Sequence, residues 1–541
     1  MNRPNRLAFV LVVLAMMAVL LGGCAPDRSN LDPIDHPDTA ALEAPVGRQI
    51  EAARARVDRA MVRRDDTELA GALAALGDLY HVYGLVDPAT TAYRNAAMLE
   101  PDAFGWRYAL GLLTEAEGDF VAAQEHFTTA LDLRPTDVPT RLHLGEIALA
   151  LGDGATAQKA FDGAAADGNA EVAAIVAYGQ GRTSLLVGDA ANAVDAFRRV
   201  LELQPAAGSV RSALGNALRQ LGEVEAAEAE LAARASGEVV WSDPLAERLE
   251  RLAISSGAFL DRGNGALVSG RFDDAVAELS RGVELHPEHV ELRRDLGLAR
   301  MRAGDLDGAR SALREATELD PEDAQSWNDL GTVYKARGEL DDAVTALERA
   351  ITLQADHQQA HFNLANAHGA REDWAAVERH AARVLELEPD TPRARYLVAM
   401  AQSRRGETST ALATLRALVA AEPGELAYRQ GLAAVLVEDR QLGAAIELAT
   451  NAEALSDADA VTLLRAMAQA AWRQRQQTQA VELWRRVTEL APEEGQSWSE
   501  LANGLQLTGR REDARRQFRK ATEVDPQDAA PWLSEGPPPR A

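Results

Sequence analysis

The chain has 541 residues and carries 83 Asp plus Glu against 56 Lys plus Arg, a formal net charge of −27. Its 47% hydrophobic content excludes a disordered chain, and 5% aromatics with abundant Ala suits close-packed helices better than a sandwich or barrel. The acidic balance argues against nucleic acid as a partner, and one cysteine excludes an internal disulfide framework or a Cys-built metal cage.

That cysteine closes the first predicted element. Arg3 and Arg6 precede an apolar run from Leu7 to Leu21, followed by Gly22, Gly23 and Cys24. A positive start, an apolar stretch too short for a membrane span and small residues at its end describe a secretory signal over 1–23. Leu21-Gly22-Gly23-Cys24 resembles the lipobox of bacterial lipoproteins. The resemblance implies cleavage before Cys24, a diacylglycerol on its sulfur and an acyl chain such as palmitate on its amine. It places the chain in a bacterial envelope, and Ala25 favours the outer membrane, facing the periplasm, in a Gram-negative source.

Residues 24–45 carry four prolines among Asp, Ser and Asn and read as a flexible tether. Residues 46–69 read as a capping helix with Val46, Ile50, Ala53, Val57, Ala60 and Met61 inward. Arg48, Arg54, Arg56, Arg59, Arg63 and Arg64 crowd that helix, where a membrane surface would attract them.

The rest is periodic. Gly84, Gly118 and Gly152 are spaced by 34, as are Gly188 and Gly222, and Gly270, Gly304 and Gly338. The eighth residue of each of thirteen units, from Gly77 to Ala502, is Gly or Ala, and the residue twelve further on is Ala in all but one, where Val377 stands. Small side chains at two facing points let the two helices of a hairpin approach closely. The Gly seven after the first small residue marks the end of helix A, and a closing Pro ends helix B. Array I spans 70–236 with five units and array II spans 256–528 with eight. Between them, residues 237–255 read as an irregular junction that bends or splits the array and is cut first by proteases. Residues 529–541 form a truncated cap and a Pro-rich tail.

This pattern resembles the tetratricopeptide repeat, with Trp327, Leu330, Gly331, Tyr334, Gly338, Ala343 and Ala350 filling seven of its positions in one unit. The resemblance implies an all-α solenoid, a right-handed superhelix of about thirteen antiparallel helix pairs, with helix A lining the concave face. It also implies a non-enzymatic scaffold that holds other proteins.

The residues agree with that reading. Gly179-Gln180-Gly181 and Gly263-Asn264-Gly265 look like fragments of phosphate loops, but Gly181 and Gly263 occupy the small repeat position. His286, His289, His357, His361, His368 and His380 cluster without a ligand set in register, so packing is expected rather than a metal, and no cofactor is expected. Groove positions of the eighth to tenth units hold Asn328, Asp329, Lys335, Phe362, Asn363, Asn366, Arg393, Tyr396, Met400 and Arg404. These suit an extended partner peptide, and Lys335, Phe362, Asn363, Asn366, Arg393, Tyr396 and Arg404 have no packing role in the repeat pattern. In the second and third units Tyr108, Leu112, Leu142, His143 and Glu146 take the equivalent places. The expectation is a lipid-anchored adaptor for an envelope or secretion-system protein, with no nucleic acid and no small-molecule substrate. The alternative is a glycan or polysaccharide carried in the groove during export.

Overall fold

A computed structural model describes residues 28–63, 65–167, 172–450 and 456–525; the signal segment with Cys24, Arg64 and the 529–541 tail lie outside them. The described residues form 28 α-helices and no strand. Thirteen helix pairs follow one another, from Asp66–Val82 with Val86–Leu99 to Gly495–Leu507 with Arg511–Val524. The other two helices are Ala44–Arg63, ahead of the first pair, and Pro244–Glu250, between the fifth and sixth. None of the described helices is long and apolar enough to cross a membrane.

The small residue at position eight of helix A explains the hairpin. A Cβ added at Gly77, Gly111, Gly145, Gly181, Gly215, Gly263, Gly297 or Gly331 would stand 2.5–2.9 Å from a large side chain sixteen residues on: Tyr93, Phe127, Phe161, Phe197, Leu231, Leu279, Leu313 or Leu347. The small residue thus receives a ring or an isobutyl group from helix B. The Ala twelve further on, buried in every repeat that has it, lies beside that contact.

Helix A ends in a left-handed residue in all thirteen repeats. Ten are Gly, from Gly84 at φ 68° to Gly509 at φ 83°; the other three are Glu372 and Arg440 at φ 60° and Arg475 at φ 59°. The next residue is often Asp, and Asp119, Asp153, Asp189, Asp305 and Asp373 each accept the third amide of helix B. These carboxylates are helix caps as well as exposed charges.

A third recurring contact joins successive pairs. The fourth residue of helix A donates to the carbonyl six residues earlier, through Arg141 to Pro135, Trp327 to Pro321, Arg395 to Pro389, Arg429 to Pro423 and Trp498 to Pro492. His361 Nε2 does the same to Ala355, 3.1 Å away. The closing position therefore needs a carbonyl more than a proline ring, which is why Ala355 serves there.

The chain divides into two compact units. One runs through Arg262 and takes in Glu284–Pro287; the other comprises Gly263–Val283 and the residues from Glu288 onward. The boundary lies inside the sixth repeat because Glu43 accepts from the Ser256 amide and hydroxyl, at 2.8 and 2.6 Å, and draws the start of that repeat into the first unit.

Residues 28–43 correct the expected tether. Leu31, Ile34 and Leu42 pack against the first hairpin and the Ala44–Arg63 helix. Asn95 pairs with both backbone groups of Asp32, at 2.9 and 2.8 Å, and His36 meets Tyr80 Oη at 2.8 Å. Apolar residues without helical period were enough to dock an irregular segment. The arginine-rich helix is partly committed as well: Arg54 holds Tyr80, Glu51 and the Pro37 carbonyl, and Arg63 pairs with Glu68, whereas Arg48, Arg56 and Arg59 are exposed.

Two stability outcomes follow. Replacing exposed Glu372, Arg440 or Arg475 by Gly should raise the denaturation midpoint, each by about 1 kcal/mol or less, because an L side chain is strained at positive φ while Gly carries an entropy cost of its own. Gly145→Ala should lower it by about 1–3 kcal/mol by driving a methyl into the Phe161 ring. Chemical denaturation followed by circular dichroism reads both.

Candidate functional site on the A-helix face

In the first unit, residues 237–255 are not a free junction. The segment leaves the fifth pair and runs back over the A helices of the fourth, third, second and first repeats. Its start is a close backbone approach: Gly237 O accepts from Ser209 N at 2.9 Å, and a Cβ on Gly237 would lie 1.8 Å from the Ala206 carbonyl. Gln204 then bonds both edges of Val240, donating to its carbonyl at 2.7 Å and accepting its amide at 2.9 Å. Val239 and Trp241 cover the cluster of Leu142, Phe161 and Val176.

Asp243 is the centre of the contact. It is 7% exposed; its Oδ2 accepts from Tyr108 Oη at 2.7 Å and His143 Nε2 at 3.1 Å. Its Oδ1 caps the helix Pro244–Glu250 through the Leu245 and Ala246 amides, so Pro244 opens a helix where the sequence suggested a break. His143 is the counterpart. Its Nδ1 lies 2.7 Å from Glu115, its ring stacks on Phe127 at 4.8 Å, and Tyr108 and Trp241 meet it edge-on. Burial alone would depress its pKa, but Asp243 and Glu115 outweigh burial and hold it up at about 9.

Beyond the helix, Arg248 pairs with Asp78 at 3.0 Å. Gln49 donates to the Leu252 carbonyl at 3.0 Å, and Ile254 N donates to Tyr83 Oη at 3.0 Å. The strap does not fill the face. A cavity of about 620 Å³ remains beside it, lined among others by His81, Leu112, Leu249, Glu250 and Arg262.

Numbered within each repeat, Tyr108 is at position five, His143 at six, and Asp78 at nine. Seven of the ten candidates in the second unit come from these positions, with Arg393, Lys335 and Arg404 at positions two, twelve and thirteen, and the structure separates them. Asn328, Asp329 and Asn363 are buried. Asn363 Nδ2 donates to Asn328 Oδ1 at 2.9 Å and to Thr332 Oγ1 at 3.1 Å, and Asn328 donates to Asp329 at 3.0 Å. Burial pushes the Asp329 carboxyl up to about 6, because Gln325 and Asn328 hold only one oxygen and Arg294 stays 4.0 Å from the other. Asn366 returns its amide to the Phe362 carbonyl. Tyr396 stacks near Tyr428 at 5.6 Å, and Tyr396 and Met400 fill the space beside Gly431. Arg404 pairs with Glu438 and lies over Trp374. The expectation of no packing role is therefore corrected for Asn363 and Tyr396: amides and rings here join successive A helices. Phe362 and Lys335 are half-buried and Arg393 is exposed, and neither cation makes an ion pair among the described residues. Burial lowers the Lys335 pKa.

The histidines pack. His357 caps Gln358–Ala370, His361 Nδ1 meets His380 Nδ1 at 3.1 Å, and His368 stacks on His380 at 5.7 Å. Burial, with His361 and Arg379 beside it, pushes His380 down to about 4. Among the described residues no group of three or more His, Cys, Asp or Glu has the geometry to hold a metal ion.

Comparison with known proteins fits this architecture. Models described as tetratricopeptide repeat match residues 115–177, 178–238, 260–324 and 312–345, and one described as TPR repeat matches 331–370. The fold is an all-α tetratricopeptide array. Similar solved structures include a tetratricopeptide repeat protein from Parabacteroides merdae ATCC 43184, 16% identical with TM-score 0.38, covering 47% of this chain and 100% of that one. The Cut9–Hcn1 hetero-tetramer of the APC/C is 13% identical with TM-score 0.34, covering 90% and 96%. Yeast Tom70 is 15% identical with TM-score 0.32, covering 76% and 97%. No curated protein matches the chain significantly.

His143 gives the first unit a pH dependence. A histidine whose folded pKa is raised from 6.5 to about 9 contributes stability that is complete below pH 6.5 and lost as the pH rises toward 9. The charges facing it are Glu115 and Asp243, with the Tyr108 hydroxyl beside them. Thermal melts should show the first unit weakening across that interval, and Asp243→Asn should flatten the change.

Proposed function

We propose that the protein is a non-enzymatic scaffold that binds extended segments of partner proteins along its A-helix faces. The observation that carries this reading is the strap: in the first unit an extended stretch of polypeptide lies on that face, held by an amide to its backbone, an apolar bed for its aromatic residue and a cation–hydroxyl pair for its carboxylate. The second unit offers the A-helix face of the eighth to tenth repeats, with Phe362 at position five and Lys335 and Arg393 elsewhere on those helices available for contact.

We place the scaffold in a bacterial envelope, anchored through lipid on Cys24, with an envelope or secretion-system protein as partner. Docking of residues 28–43 leaves only residues 25–27 between Cys24 and the folded body, a covalent reach of about 14 Å at ~3.5 Å per residue. The first repeats would therefore stand against the membrane surface, with the exposed Arg48, Arg56 and Arg59 close to anionic head groups.

Metabolic labelling with a fatty-acid analogue should tag the wild type and leave Cys24→Ala unlabelled and soluble; an unlabelled wild type that stays with membranes would refute the anchor. For the groove, Phe362→Ala combined with Arg393→Ala should reduce partner capture from solubilised envelopes at least tenfold, about 1.4 kcal/mol. Melting should be unchanged, because neither residue makes the interhelical bonds assigned to Asn328 and Asn363. Wild-type capture by this variant would exclude the face.

A further inference from the structure

We propose that the A-helix face of the first four repeats is a binding site for a partner segment that is extended up to an aspartate, with an aromatic residue two positions before it, and that Val239–Ile254, extended to Asp243 and helical over Pro244–Glu250, is an intramolecular occupant which such a segment replaces. The inference rests on the reading of the A-helix face as the binding face, and adds the ligand class and the means of access.

The contacts are those of ligand recognition. Gln204 reads backbone at Val240, as a strand would, and is indifferent to the side chain there. Trp241 lies edge-on to His143, and Asp243 closes a three-part set with Tyr108 and His143. Tyr108 and His143 sit at repeat positions five and six, where their rings rest on Phe127, 5.2 and 4.8 Å away, so the hairpin core holds them while their polar atoms meet Asp243. The occupant also fits incompletely. Ser242, Pro244 and Arg248 are exposed, and the 620 Å³ cavity beside Leu249 leaves room on the same face. The connection from the fifth to the sixth repeat is fourteen residues longer than the period requires, so the helix pairs close without this strand of chain.

Covalent attachment gives the occupant an effective concentration in the millimolar range. A free segment of equal intrinsic affinity therefore competes poorly. Access requires either a partner that makes further contacts or weakening of the Asp243 latch. The site is thus closed by default to short free peptides.

The test uses the full chain and a fluorescent peptide of residues 237–255. Fluorescence anisotropy should show weak binding to the wild type and binding at least ~100-fold tighter to Trp241→Ala/Asp243→Ala, whose own strap is weakened. Adding His143→Ala to that variant should abolish the gain, as should Asp→Asn in the peptide at the Asp243 position. Equal binding by wild type and double variant, or a gain that survives His143→Ala, would overturn the proposal. If the double variant does not fold, hydrogen exchange on the wild type decides. Several millimolar peptide should speed exchange of amides 239–254 while leaving the hairpins protected, and unchanged exchange would overturn it. Residues Phe362 and Arg393 take no part, so failure here is separable from failure of capture by the second unit.

Discussion

Both units depend on a single steric fit, the seating of one large B-helix side chain over a residue with no side chain, or only a methyl, at position eight of helix A. Where that residue is Gly, the B-helix side chain sits closer to the backbone of helix A than any Cβ would permit, and Phe127, Phe161 and Phe197 lie fully buried. Interiors this dense have little slack, so the fit sets the spacing of each hairpin and the stacking of the next one on it. The carbonyl six residues ahead of each A-helix donor adds a polar tie at the same junctions. From these two contacts comes, within each unit, a regular set of A helices whose positions five, six and nine share a face.

The two units use that face differently. In the first, positions five, six and nine carry Tyr108, His143 and Asp78, and the chain's own strap meets all three. In the second, Asn328, Asp329, Asn363 and Thr332 bond to one another, and one oxygen of Asp329 is left buried without a hydrogen bond, with Arg294 4.0 Å away. A buried polar row of this kind fixes the register of neighbouring helices, and removing one member strands the rest. The same repeat positions thus serve recognition in one place and alignment in another, depending on which neighbours reach them.

The regular part of the fold was legible because its causes are local. Gly84 to Gly509 announce the left-handed stop of helix A, the small position-eight residues announce the hairpin contact, and the 34-residue period sets the boundaries. Glu372, Arg440 and Arg475 show the limit of that reading: the turn is imposed by the flanking helices even where the residue disfavours it. The strap and the 28–43 segment were not legible, because their partners lie far off in sequence and no period marks them. Pro244 read as a breaker when it opens a helix, and Leu31 and Ile34 read as part of a tether when they are anchors. Among the groove candidates, spacing put Asn363 and Tyr396 on the A helices but gave no account of their packing, which depends on Asn328, Tyr428 and Gly431 in neighbouring repeats.

The strap also changes the order in which the chain can acquire its structure. A repeat array has low contact order, since each pair meets only the next, and such chains nucleate quickly and locally. Arg248 reaching Asp78 is a closure over 170 residues, and Ser256 reaching Glu43 one over 213. During synthesis the first five hairpins emerge and can fold before residues 237–255 exist, so the face is complete and bare before its occupant arrives. The last step for the first unit is then a long-range docking event, later than the helix pairs and separable from them in time. For that interval the nascent array exposes its aromatic and His143 surface to whatever other chains are near.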